Sequence, residues 1–150
     1  MENLFTVNEV KLSYKTKQNA SERPKVLSSE SVHKVLLNCY DADTVEFREY
    51  FKVLLLNRAN RVLGVFNVSE GGISETVVDI RLILQSAILS NASGIILSHN
   101  HPSGNINPSQ NDDIMTRKIK EACKVMDIVL LDHIIITSES YYSYADKGRI

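Results

Sequence analysis

The sequence is poor in cysteine and lacks tryptophan altogether. Its two cysteines, Cys39 and Cys123, lie far apart, so they predict neither a closely spaced metal pair nor a disulfide framework. No apolar run approaches the roughly 20 residues that a membrane-spanning helix needs. The first residues also lack the basic and apolar segments of a secretory signal. These absences predict a reduced, cytoplasmic protein with no membrane partner.

An excess of charge of one sign is also missing. The 150 residues carry a formal net charge of −1, whereas a DNA-binding domain usually shows a strong basic excess. The basic residues between Lys11 and Lys25 are therefore interpreted as a solvated terminal segment rather than as a phosphate-binding face. The length and a hydrophobic content of 43% are typical of one folded domain with a sizeable core.

Hydrophobic periodicity divides the chain into alternating strands and helices. Residues 1–27 are predicted to form an N-terminal strand, at 5–15, and an exposed loop. Residues 28–150 are predicted to form the main domain, and their mixed order of elements indicates an α/β fold with one sheet. The predicted helices span about 28–40, 78–90 and 109–126, and the predicted strands span 51–56, 62–68, 95–98, 128–131, 134–137 and 142–144.

Some side chains are also assigned to a face. The runs 51–56 and 62–68 are predicted to pair as an antiparallel hairpin. The helix at 78–90 is expected to turn Leu82, Ile83, Ser86 and Ala87 inward, and the helix at 109–126 is expected to present Met115, Ile119, Ala122, Cys123 and Met126 on its apolar stripe.

Two histidines and one aspartate form the clearest candidate site. His99 and His101 are two residues apart, so in an extended segment both imidazoles point to the same side. Pro102 ends the strand, and a loop with glycine and proline leads to Asp112 in the first turn of the next helix. Two histidines and one carboxylate leave a fourth tetrahedral position open, which suits catalytic rather than structural zinc.

The same residues also have a purely structural interpretation. Ser109-x-x-Asp112 before a helix is a capping box, in which Ser109 is the N-cap. Both roles are compatible, because a cap would hold the carboxylate rigidly. The other two histidines, His33 and His133, are interpreted as a helix-face residue and as a packed, hydrogen-bonded residue.

The longer string His99-Asn100-His101-Pro102-Ser103-Gly104, with Pro108-Ser109 and Asp112, resembles the zinc signature of the JAMM (MPN-plus, JAB) metalloprotease family, and in particular its RadC branch. The stretches 91–93, 131–135 and 141–146 match as well, so the resemblance covers roughly residues 28–148. It implies a cytidine-deaminase-like JAB/MPN fold, a central mixed sheet flanked by helices. Family members often carry an N-terminal helix-hairpin-helix region, which we do not expect within these 150 residues.

The resemblance also implies a glutamate that hydrogen-bonds the zinc-bound water and acts as general base and acid. In the family this residue precedes an early core strand, and Glu49 fits because it stands directly before Tyr50. Glu46 is the nearest competitor, and Glu70 and Glu75 remain alternatives. Ser109 would, by resemblance, help to stabilise the tetrahedral intermediate.

Three functions compete at this point. The first is a Zn²⁺-dependent hydrolase of amide bonds, acting on a peptide or a protein conjugate through Glu49, Ser109 and the three metal ligands. The second is a RadC-type role in DNA repair, acting on or binding nucleic acid without peptidase activity. The third is a metal-bound but inactive scaffold. The substrate stays open, and so does the formation of a homodimer.

Overall fold

The computed structural model describes residues 6–72 and 76–150. Its strands are β1 (Tyr50–Leu56), β2 (Val62–Glu70), β3 (Gly94–Asn100), β4 (Val129–Ile136) and β5 (Tyr141–Ser143). Its α-helices are α1 (Ser29–Leu37), α2 (Ile80–Leu89) and α3 (Gln110–Val125), and a single 3-10 turn spans Ala20–Glu22. No helix in these two ranges is long and apolar enough to cross a membrane.

The strands form one mixed sheet in the order β2-β1-β3-β4-β5. The hairpin of β1 and β2 is antiparallel as predicted, and β1 pairs antiparallel with β3 on its other side. Strand β4 is parallel to β3, and α3 is the crossover between them. The predicted mixed α/β fold is confirmed, and its parallel pair places the end of β3 beside the start of α3.

The sheet separates two hydrophobic cores. Helices α2 and α3 pack on one face, where Phe51, Ile95 and Leu97 meet Ile83 and Ile119. Helix α1 covers the other face through a second set of buried residues, which comprises Val26, Val32, Leu36, Val45, Leu54, Leu56, Val62, Ile96, Ile134 and Ile136. The strand residues therefore alternate between the cores, as the two-residue period of a strand requires.

The predicted buried faces of the helices are largely correct, and the errors concern residues at the edge or the end of a face. Ile83 and Ala87 are fully buried on α2, but the inward placement of Leu82 is wrong, because its side chain is 39% exposed. On α3, Ile119 and Cys123 are fully buried, whereas Met126 is 46% exposed. Met126 is the C-cap of α3, so it lies beyond the last turn that packs on the sheet.

Two strand predictions are wrong. Residues 6–16 form no strand, and the apolar side chains that suggested one are exposed; Phe5 lies outside the described residues. Alternation alone does not make a strand when no neighbouring strand supplies hydrogen bonds. The predicted strands 128–131 and 134–137 are one continuous strand, β4. The polar pair Asp132-His133, which lies between the two predicted strands, is buried inside β4.

The division of the chain at residue 27 remains a prediction. Val26 is already buried in the core under α1, and Lys25 forms an isolated bridge with Arg61.

Candidate metal centre

Three predicted ligands converge where β3 ends and α3 begins. His99 lies on β3, between Phe51 of β1 and Ile135 of β4, and it is fully buried. His101 follows the strand directly, and its backbone N–H donates to the carbonyl of Ile136. Asp112 lies in the first turn of α3, on the same side of the sheet.

The three side chains meet at ligand distances. The Nε2 atoms of His99 and His101 are 2.9 Å apart. Asp112 reaches both rings, with Oδ1 at 3.2 Å from His99 Nε2 and Oδ2 at 3.3 Å from His101 Nε2. One ligand atom from each residue lies within 4.8 Å of the others, so the group could hold a metal ion.

The hydrogen bond on the far side of the His101 ring supports a metal ion rather than a mere contact. His101 Nδ1 is 2.6 Å from the backbone oxygen of Asn105. A carbonyl oxygen only accepts, so Nδ1 carries the proton, and in the neutral ring Nε2 presents a lone pair. That lone pair points at the Nε2 of His99 and at a carboxylate. Such a set of donors fits a cation, and two imidazoles with one carboxylate suit zinc.

The charges of the site are strongly coupled. Burial by itself raises the pKa of Asp112, but the adjacent imidazoles of His101 and His99 outweigh burial and hold the pKa well below its usual range. Burial lowers the pKa of His99, although Asp112 opposes this effect. The half-buried His101 has a raised pKa, because Asp112 and the Asn105 carbonyl outweigh desolvation. Asp112 is therefore a carboxylate, as a metal ligand must be.

Helix α3 places Asp112 through its own N-terminus. The Ser109 Oγ accepts from Asp112 N at 3.1 Å, and Asp112 Oδ2 accepts from Ser109 N at 2.8 Å. This reciprocal pair is the predicted capping box. The carboxylate thus caps the helix and faces the histidines at the same time, so both interpretations of the motif hold.

Glu49 lines the same cleft as two of the three predicted ligands. It lines this cleft, of about 780 Å³, together with His101, Ser109 and Asp112. Its side chain is buried, and its backbone is held on both sides, because Glu49 N donates to Gly72 O and Glu49 O accepts from Gly71 N.

Asn100, between the two histidines, fixes the segment that carries Glu49. Its Nδ2 donates to the carbonyls of Val45 and Arg48, at 2.7 and 2.9 Å, and its Oδ1 accepts from Tyr50 N at 2.7 Å. The residue is fully buried and lies on the α1 side of the sheet. Successive residues of β3 therefore differ in role: His99 is a candidate metal ligand, and Asn100 holds the backbone on both sides of Glu49.

The competing glutamates lie elsewhere. Residues 42–47 form turns rather than an extended segment, and the exposed Glu46 accepts a hydrogen bond from Ser138. Glu70 is paired with Arg48 at 3.7 Å, with its side chain 61% exposed. Neither is among the residues that line the cleft. Glu75 lies outside the described residues.

Comparison with known proteins agrees with this geometry. The sequence profile described as "RadC-like JAB domain" matches residues 26–149. This chain belongs to the RadC-like JAB domain family. The RadC-like domain is 49% identical to a UPF0758 protein of Flavobacterium johnsoniae over 100 residues, which are 67% of this chain and 44% of that protein.

Two further relatives match the RadC-like domain in the same way. A UPF0758 protein of Porphyromonas gingivalis is 43% identical over 104 residues, 69% of this chain and 46% of the relative. One of Salinibacter ruber is 46% identical over 103 residues, 69% of this chain and 44% of the relative. The chain thus spans less than half the length of these curated relatives.

The RadC-like domain also contains site residues that the sequence did not reveal. His133 Nε2 lies 2.7 Å from His99 Nδ1, and Thr116 Oγ1 lies 2.6 Å from His133 Nδ1. Burial, and then the neighbouring His99 and His101, hold the pKa of His133 well below its usual range. The prediction of a packed, hydrogen-bonded His133 is confirmed, but no local pattern predicts its contact with the candidate ligand His99, 34 residues away. His33 lies on α1 as predicted and stacks on Tyr141.

Proposed function

We propose that this chain is a zinc-dependent hydrolase of amide bonds, of the peptidase or isopeptidase type. The observation that carries the proposal is the convergence of His99, His101 and Asp112 beside a cleft. His101 and Asp112 line this cleft together with Glu49 and Ser109. Membership of the JAB family, which includes metalloproteases, supports the same conclusion.

His99, His101 and Asp112 would hold the metal ion. A zinc ion with three protein ligands supplies a Lewis acid that polarises a carbonyl and lowers the pKa of water toward ~7. The backbone carbonyl of Asn105 orients the His101 ring, and the capping box orients the carboxylate.

Glu49 and Ser109 would supply the proton transfers and the charge stabilisation. A carboxylate in the position of Glu49 can take the proton of the attacking water and deliver it to the leaving amine. Ser109 Oγ accepts from Asp112 N, and its own proton can be donated to the oxyanion of the tetrahedral intermediate. Both residues border the cleft, so both reach a substrate bound there.

The walls of the cleft favour a peptide over a nucleic acid as the substrate. Val78, Ile80, Ile114 and Met115 supply apolar surface. Lys118 is the one lysine or arginine among the described lining residues, whereas a nucleic-acid backbone requires several positive charges. The alternative of a nucleic-acid-binding protein predicts an affinity that falls steeply between low and moderate salt, and a gel shift at two salt concentrations measures it.

Replacement of Glu49 by glutamine tests the proposed chemistry. The wild-type protein, loaded with zinc, is incubated with a mixed peptide library that includes lysine-linked isopeptides, and mass spectrometry detects cleaved products. We expect Glu49→Gln to bind zinc as the wild-type protein does. Cleavage should fall by about 10²- to 10⁴-fold, the usual contribution of a general base.

Glu46→Gln is the matched control, because Glu46 is exposed and bonded to Ser138. It should cleave at the wild-type rate. Equal cleavage by Glu49→Gln and the wild-type protein would contradict the role of Glu49, and no cleavage of any library member by the wild-type protein would contradict the hydrolase proposal.

A further inference from the structure

The imidazole of His99 is the start of a chain of three buried hydrogen bonds that leads away from the candidate metal centre. His99 Nδ1 meets His133 Nε2 at 2.7 Å, and His133 Nδ1 meets Thr116 Oγ1 at 2.6 Å. The Thr116 hydroxyl then reaches the backbone oxygen of Asp112 at 2.6 Å. His99 and His133 are fully buried and Thr116 is 3% exposed, so solvent does not compete for these bonds.

The direction of every hydrogen bond in this series follows from the group at its end, the backbone carbonyl of Asp112. The Asp112 carbonyl only accepts, so Thr116 donates its single hydroxyl proton there. Toward His133 the hydroxyl oxygen must then accept, which places a proton on His133 Nδ1. The His133 ring stacks on Tyr144, and with its proton on Nδ1 the neutral ring presents Nε2 as an acceptor toward His99.

The acceptor on His133 determines the tautomer of His99. His99 Nδ1 donates to His133, so in a neutral His99 ring Nε2 has the lone pair. This is the atom that faces His101 and Asp112. We propose that His133 and Thr116 are positioning residues that hold His99 in its metal-binding tautomer and orientation.

The inference rests on the metal site of the proposed function and adds two residues to it. Metal-binding histidines commonly donate their second N–H to a carboxylate, a carbonyl or water. Here the acceptor is a second neutral histidine, and its own orientation is fixed by a hydroxyl that is tied to the backbone of the aspartate ligand. The same turn of α3 therefore orients Asp112 directly and His99 indirectly.

Two pairs of variants test this series of hydrogen bonds. His133→Leu removes the acceptor, whereas His133→Gln presents a carbonyl oxygen and an amide nitrogen at a spacing similar to that of the two ring nitrogens. Thr116→Val removes the hydroxyl and keeps the shape, whereas Thr116→Ser keeps the hydroxyl. Zinc affinity, measured by competition with a chelator, should fall about 10- to 100-fold in His133→Leu and about tenfold in Thr116→Val. Glutamine and serine should restore most of the loss.

Matched controls separate this role from a general loss of stability. Thr137→Val removes a similarly buried hydroxyl that donates to Ser140 O, and His33→Leu removes the histidine that stacks on Tyr141. Both should leave the zinc affinity unchanged. Equal affinities in the wild-type protein, His133→Leu and Thr116→Val would overturn the proposal.

A spectroscopic measurement tests the tautomer without metal or hydrolysis. Long-range ¹H–¹⁵N spectra of the metal-free protein, labelled on histidine, show which ring nitrogen carries the proton. We expect the His99 proton on Nδ1 in the wild-type protein and a mixture of tautomers in Thr116→Val, which keeps the ring of His133 in place. A proton on His99 Nε2 in the wild-type protein would overturn the inference, whether or not the protein hydrolyses amides.

Discussion

The two sides of strand β3 bury polar side chains at the same end of the sheet and use them differently. On the α1 side, both amide protons and the oxygen of Asn100 are engaged by backbone groups. On the α3 side, the Nε2 atoms of His99 and His101 face each other and a carboxylate. A polar group whose hydrogen bonds are all satisfied within the protein fixes a loop, whereas lone pairs that converge are typical of a ligand site.

From this difference between the two sides, we expect the largest loss of stability when Asn100 is replaced. Asn100→Ala would leave the carbonyls of Val45 and Arg48 and the N–H of Tyr50 without this partner. We expect the free energy of unfolding to fall by about 2–3 kcal/mol, since each unsatisfied buried group costs about 1–3 kcal/mol and part of the cost is relieved by water. Urea denaturation measures this loss.

The same variant should impair the proposed role of Glu49 in cleavage without impairing the binding of zinc. Cleavage should fall because the segment that carries Glu49 is released, while the zinc affinity stays near the wild-type value. Asn38→Ala is the control, because the Asn38 side chain makes an exposed hydrogen bond at the end of α1. If Asn100→Ala lost zinc and kept cleavage, the comparison between the two sides would be wrong.

Ser109 on the histidine side should show a smaller effect on stability. Ser109→Ala removes an N-cap, so we expect a loss of about 1 kcal/mol, whereas Ser109→Gly should cost only a few tenths. If the hydroxyl also stabilises the oxyanion, both variants should lose cleavage by about 10²- to 10³-fold. Thermal denaturation and the cleavage assay distinguish these roles, and full cleavage by Ser109→Gly would leave the residue as a cap alone.

The smallest effect concerns the two cysteines, which lie on opposite faces of the sheet. Cys123 of α3 is fully buried, and burial raises its pKa to about 11. Burial also raises the pKa of the half-buried Cys39, and the nearby charge of Lys52 opposes this rise. A raised pKa in the folded state means that the stability contribution of the Cys123 thiol is present below about pH 8.5 and is lost toward pH 11.

Unfolding experiments between pH 8 and 11 test this assignment. Stability should fall less steeply with pH in Cys123→Ala than in the wild-type protein, and Cys39 should be alkylated faster than Cys123. Identical slopes in the two proteins would contradict it.

Local patterns in the sequence predicted much of the site. His-x-His at a strand end and Ser-x-x-Asp at a helix start have direct geometric consequences, and the capping box between Ser109 and Asp112 was read from spacing alone. The position of Glu49 was obtained from family resemblance, and the structure places it at the cleft.

Long-range contacts could not be read from those patterns. The chain from His99 through His133 to Thr116 joins β3, β4 and α3, and none of its members is close to the next in sequence. Asp132 lies between two segments that the sequence predicts as separate strands, yet it is buried within β4. It accepts hydrogen bonds from Ser143 and from the backbone of Ala145 and His133, which makes a charged residue tolerable inside β4. The N-terminal segment is the opposite case. Its alternating pattern is typical of a strand, but the described residues 6–16 form no strand.

The most direct test of the proposed metal site is the metal content of the purified 150-residue protein, compared with that of His99→Ala. Both proteins are supplied with zinc, passed over a desalting column and analysed by mass spectrometry of the elements. We expect one zinc per wild-type chain and a loss of zinc in His99→Ala, with circular dichroism showing that both proteins are folded. No zinc in either folded protein, or equal zinc in both, would contradict the proposed metal site.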